Sequence, residues 1–163
     1  MKELFIWFVV LVGMILGAAW LQKGGFSLTQ TSSPKIVEPK LMKIGETSIE
    51  VEIADLPEEH EKGLSGRDSL DADKGMLFIM TKDSAPTFWM KDMRFALDII
   101  WINDNEIVDI AESIPNPNPE TPENELPRYR SQRPADYILE VNEGFTKEHG
   151  IEIGNKVKLP EGI

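Results

Sequence analysis

A mainly β fold, a small β-barrel-like or sandwich domain with two short helices preceded by one N-terminal transmembrane helix, is what three stretches of this sequence predict. In SIEVEIA, Ile49, Val51 and Ile53 share one face while Glu50 and Glu52 share the other, the period-2 pattern of a half-buried strand. In LDIIWINDNEIVDIAESI, two β-branched runs flank Asn103, Asp104 and Asn105, which reads as a hairpin. From Leu4 to Leu21 about 18 residues pass without a charge, which at 1.5 Å per residue just spans a hydrocarbon core.

The apolar run, residues 4–22, is hydrophobic all round, whereas a core helix would show a polar face. Trp7 and Trp20 stand near its ends, where indoles favour the membrane interface. A retained anchor is expected, with a signal peptide cleaved near Gly17, Ala18 and Ala19 as the alternative, the body then being secreted. A short tail before one early apolar segment is the usual plan of an exported protein. The expectation is therefore a single-pass cell-membrane protein with an extracytoplasmic body. Residues 23–39, rich in Gly, Ser, Thr and Pro, form a tether, and residues 40–160 form the domain.

Within the domain, KLMKIGET predicts a strand and a turn at Gly45 ahead of SIEVEIA. LPEEHEKGL predicts a short helix, with Pro57 at its start, acidic residues in its first turns and Gly63 as its stop. Gly75–Met80 and Pro86–Lys91 read as buried strands separated by a polar turn. After the hairpin, YILEV adds a strand, TKEHG a helical turn, and IGNKVKL a turn and closing strand. Short strands with brief helices favour a barrel or sandwich over a βαβ fold. Between Ile114 and Pro134 six prolines exclude helix and inner strand, leaving a loop of about 20 residues that is either a solvated excursion or a binding lid. Glu120, Glu123 and Glu125 precede Arg128, Arg130 and Arg133 in it, so its end is the densest basic cluster of the body.

The 163 residues carry 17 basic and 28 acidic side chains, a net charge of −11. That balance excludes a nucleic-acid partner, which needs clustered Lys and Arg. It also disfavours a peripheral face for anionic lipid. With no Cys, disulfides, thiol catalysis and thiolate metal sites are excluded.

The strings GLSGRDSL at Gly63–Leu70, KGMLFIM, FWMKDMRFALDIIWIN at Phe88–Asn103, RYRSQRPADYILEV and GIEIGNKVKL together resemble the DUF192 family of small bacterial and archaeal proteins. The resemblance implies a small β-barrel-like domain, often exported or membrane-anchored, without an established activity. The chain departs from the family pattern where Asp92, Met93 and Ala96 replace Asn, Thr and Pro.

Four groups of residues bear on chemistry. On an extended Phe88–Lys91, Phe88 and Met90 point one way while Trp89 and Lys91 point the other, so Trp89 and Lys91 either line a groove or are, respectively, buried and ion-paired. Asp98 and Glu140 each interrupt an apolar run, with Arg67, Lys91 and Arg130 as available counter-charges. They form either an ionic network or an acid and base for hydrolysing an envelope glycan. Met76, Met80, Met90 and Met93 suit Cu(I) no better than a core. His60 and His149 stand alone, so no metal or other cofactor is expected. Ser65, Ser69 and Ser131 lack a nucleophile elbow, and no phosphate-binding loop occurs. The expected function is a binding or accessory module. Its ligand cleft is drawn at Arg67, Trp89, Lys91, Asp98, Tyr129, Arg130 and Glu140, and its ligand is a small anion, a glycan or an envelope protein. A glycan hydrolase using Asp98 and Glu140 is the alternative, and a structural partner of an envelope protein is a third.

Overall fold

The computed structural model describes residues 39–163. The apolar run 4–22 and all but the last residue of the 23–39 tether lie outside the described residues. Among the described residues no helix is long and apolar enough to cross a membrane.

Alternating sequence becomes alternating burial. β1 (Lys40–Ile44) turns at Gly45 into β2 (Thr47–Ala54), and Ile49 and Val51 are buried as their spacing requires. α1 (Pro57–Lys62) begins at Pro57, and the Glu59 carboxylate accepts the N–H groups of Asp55 and Leu56 that precede the first turn. β3 (Lys74–Ser84) follows, then the hairpin of β4 (Leu97–Asn103) and β5 (Glu106–Ile114). Asp104 and Asn105 both have positive φ, 47° and 62°, the backbone of a tight hairpin turn that Asp and Asn tolerate. The proline-rich loop contains a single 3-10 turn, Glu123–Glu125, and leads into β6 (Ala135–Asn142), α2 (Phe145–Glu148) and the two-residue β7 (Val157–Lys158).

The strands form one seven-stranded sheet in the order β5-β4-β6-β3-β2-β1-β7. Its two ends approach one another at a bridge between Glu106 and Lys156, where the Val157 N–H donates to the Asn105 carbonyl at 2.9 Å. The domain is thus barrel-like and not a two-sheet sandwich. β2 and β3 run parallel and are joined through α1, so one β-α-β crossover exists where none was expected. Pro86–Lys91 is not a strand either. Only Phe88 pairs, exchanging both backbone hydrogen bonds with Tyr129, and the chain then turns at Asp92 with φ 56°.

Both faces of the sheet are covered. Inside the barrel lie Ile49, Val51, Leu77, Ile100, Ile102, Leu139 and Val141. Outside, Met76, Phe78, Ile99, Trp101 and Ile138 pack beneath Leu64, Phe88, Met90 and Met93. Double coverage explains why β4 reads as an apolar run interrupted by Asp98 alone before its last residue: six of its seven residues are buried.

Candidate functional site

The residues expected to share one cleft occupy four places. Asp98 is fully buried on the inner face of β4, paired across the sheet with Val141. Opposite it β5 carries an extra residue, since Leu97 pairs with Ile114 but Ile99 with Ala111. The bulge puts Ser113 at φ 53° and frees its N–H, which donates to Asp98 Oδ1 at 2.8 Å. Asp98 Oδ2 accepts the Thr146 N–H at 3.0 Å and faces the Thr146 hydroxyl at 2.7 Å. Thr146 lies in the first turn of α2, whose N–H groups have no partner within the helix. Asp98 therefore caps α2 from a neighbouring strand. Its partners are not Arg67, Lys91 or Arg130.

Glu140 is one position away on the adjacent strand and faces outward. It pairs with Ile99 and Met76, and Phe78 and Gly63 lie against it. It is 6% exposed and makes no hydrogen bond or ion pair among the described residues, and burial pushes its carboxyl up to about 8. The sheet separates Asp98 from Glu140. The two carboxyl groups cannot flank one glycosidic bond, which removes the acid–base pair drawn from the sequence.

The GLSGR turn accounts for Arg67. Gly63, at φ 46°, lies over Glu140, and a Cβ there would stand 3.3 Å from the Phe78 ring and 4.0 Å from Glu140 Oε2. Four residues on, Arg67 makes a two-pronged pair with Glu52 at 2.5 and 2.8 Å. Glu52 adjoins Met76, which adjoins Glu140, so the turn covers a row of two carboxylates, one paired and one unpaired. Arg67 holds the Glu52 carboxyl below its usual range, mainly by hydrogen bonding, against the opposing effect of burial.

On its other side this turn walls a pocket of about 580 Å³. The remaining walls are Lys91–Arg94 and the 117–126 part of the proline-rich loop. Ser65 Oγ donates to the Lys91 carbonyl at 2.8 Å and the Gly66 N–H to the Asp92 carbonyl at 2.9 Å, which fastens the first two walls together. Asp92 takes the left-handed backbone, which Asp and Asn tolerate better than most residues. Lys91 Nζ meets Glu123 Oε2 at 2.6 Å, tying the loop across the mouth, and that pairing raises the Lys91 pKa. Arg94 pairs with Asp68, while Lys62 has no ion pair among the described residues. Of the seven expected residues only Lys91 lines this pocket, with Trp89 beside it at 5.3 Å from Lys91 Nζ. Tyr129 and Arg130 line a second pocket with Arg128, whose guanidinium stacks on Trp89 at 3.7 Å.

Sequence reading missed Lys62, Arg94 and Glu123 as pocket residues. The available signal was that the GLSGR and FWMKDMR strings both carry turns and bases, but nothing in the chain announces that they touch. Among the described residues no three His, Asp or Glu side chains are grouped to hold a metal ion.

A family model for DUF192, described as Uncharacterized ACR, matches residues 40–159. The chain is similar to a crystal structure of a protein of unknown function from Novosphingobium aromaticivorans, at 28% identity and TM-score 0.63, covering 74% of this chain and 84% of that one. It is also similar to a candidate transcription regulator from Sinorhizobium meliloti, at 30% identity and TM-score 0.60, covering 68% and 81% respectively. No curated protein matches the chain.

Proposed function

The chain belongs to the DUF192 family, and on that premise we propose that its body is a binding or accessory module, tethered to the cell membrane by residues 4–22 and standing outside the cytoplasm, with cleavage and secretion as the alternative. The ligand site is the pocket between the GLSGR turn, Lys91–Arg94 and the 117–126 loop. One observation carries this reading: three segments remote in sequence converge on a cavity whose Lys62 has no ion pair among the described residues and whose Lys91 pairs with a loop carboxylate. An entering anion exchanges with Glu123 at Lys91, so a small anionic molecule or acidic glycan is the class of ligand. A nucleic-acid partner is not part of the reading, because the body is acidic. An envelope-protein partner has less support, since the exposed large apolar residues Leu41, Leu56 and Ile153 sit on separate elements.

The test uses the full chain in detergent micelles, with melting temperature followed against glycerol phosphate, glucuronate and neutral glucose. A saturable rise with an anion, lost in Lys62→Gln and Lys91→Gln variants that remain folded, supports the reading. The absence of any rise removes it. The topology is checked separately: a reporter fused after Ile163 that behaves as cytoplasmic overturns the extracytoplasmic placement.

A further inference from the structure

The second pocket, about 360 Å³, lies on the outer face of β4 and β5 beneath the returning end of the proline-rich loop. Trp101 lines it. That residue is 2% exposed and pairs across the sheet with Asp109 on one side and Ile138 on the other. Its indole N–H is buried with no acceptor among the described residues. An indole is a donor only, and buried donors in folded proteins almost always have a partner. None of the described residues supplies one, and the pocket that Trp101 lines is the open space beside it.

The groups around that N–H select the acceptor's charge. Arg128 and Arg130 line the same pocket and make no ion pair among the described residues, although acidic side chains far outnumber basic ones in this chain. Stacking on Trp89 holds the Arg128 guanidinium in place before any ligand arrives. The segment carrying both arginines is pinned on each side. Tyr129 exchanges backbone hydrogen bonds with Phe88 at 2.8 and 2.9 Å, and the Gln132 N–H donates to Asp109 Oδ2 at 3.2 Å. Asp109 is the one carboxylate of the pocket lining, and both of its oxygens already accept backbone N–H groups, from Ile110 and Gln132. Two free guanidinium groups, an unsatisfied indole N–H and one occupied carboxylate leave the pocket with a net positive charge.

We propose that this pocket is a second binding site, separate from the one beside Lys91, for the carboxylate or phosphate group of a small metabolite. Arg128 and Arg130 neutralise the oxyanion and Trp101 Nε1–H donates to one of its oxygens. A volume of this size admits a molecule the size of a sugar acid or sugar phosphate and no folded partner.

The full chain, labelled with ¹⁵N in detergent micelles, provides the test. The indole cross-peak of Trp101 is assigned by its loss in Trp101→Phe, and is followed during titration with glucuronate, inorganic phosphate and glucose. The proposal expects a saturable downfield movement with glucuronate, with phosphate or with both, the responding anion identifying the group. It expects none with glucose. Arg130→Gln, at an exposed residue with no ion pair among the described residues, weakens binding by about tenfold or more. Lys62→Gln leaves it unchanged. A cross-peak that does not move, an equal response to glucose, or undiminished affinity in Arg130→Gln overturns the proposal. Loss of the response in Lys62→Gln also overturns it and returns the ligand to the first pocket.

Discussion

Asp98 and Glu140 are carboxylates at adjoining positions of two paired strands, and their surroundings are opposite. Asp98 lies among donors that the fold aims at it: the N–H freed by a β5 bulge, and the N–H and hydroxyl at the start of α2. Glu140, buried almost as deeply, lies beneath Gly63 and opposite Met76 with no donor among the described residues. Burial alone therefore does not decide what a carboxylate does; the donors brought to it decide. Asp98 is a structural cap whose two side-chain oxygens join three elements. Glu140 keeps its proton near neutrality and is a cost to the fold once it ionises.

The comparison can be broken most sharply at Asp98. Asp98→Ala removes the acceptor of the Ser113 N–H and leaves the buried Thr146 N–H without one, and should cost about 4 kcal/mol in urea unfolding. A loss below about 1 kcal/mol would mean that water replaces the carboxylate and that the cap is not structural.

Glu140 predicts an effect of the other sign. Its folded pKa, about 8, lies above the ordinary carboxyl value of 4.5. Between those values the folded state holds a proton that the unfolded state has lost, so stability is complete below the lower value and falls as pH rises through the window. Glu140→Gln should abolish that fall and be more stable than the parent above pH 8 by on the order of 3 kcal/mol. Parallel stability–pH curves for the two proteins would refute the unpaired state of Glu140.

Glu52, in the same outer row but paired with Arg67, sharpens the contrast with the smallest effect. Its folded pKa is depressed, so its contribution is present above the ordinary carboxyl range and lost as pH falls through the folded value, opposite in slope to Glu140. The pair is about one-third exposed, so Arg67→Ala should cost only about 1 kcal/mol and flatten the acid side of the curve. A change confined to the alkaline side would contradict this assignment.

Local chemistry was legible in the chain wherever one element's pattern sufficed. The alternation of β2, the Asp104–Asn105 turn and the start of α1 at Pro57 follow from spacing and residue type. The opposite orientations of Phe88 and Met90 against Trp89 and Lys91 also hold: the first two are buried and the second two only partly so. Pro86–Lys91 misled because apolar composition reports burial and not ladder pairing; those residues pack on the outside of the sheet as a lid. The two pockets were illegible for a similar reason. Each is walled by segments whose contact depends on how the GLSGR turn and the proline-rich loop fold back over the sheet.

The sequence by itself determined the alternation of β2, the β4–β5 hairpin and the start of α1, the acidic balance, the exclusion of thiol chemistry and membership of the DUF192 family. Side-chain alternation is a property of one strand and needs no partner. Only the tertiary structure decided which carboxylate met donors, because that depends on register. Asp98 opposes Val141 and Ile99 opposes Glu140, and a slip of one residue would have put both acids on the same face.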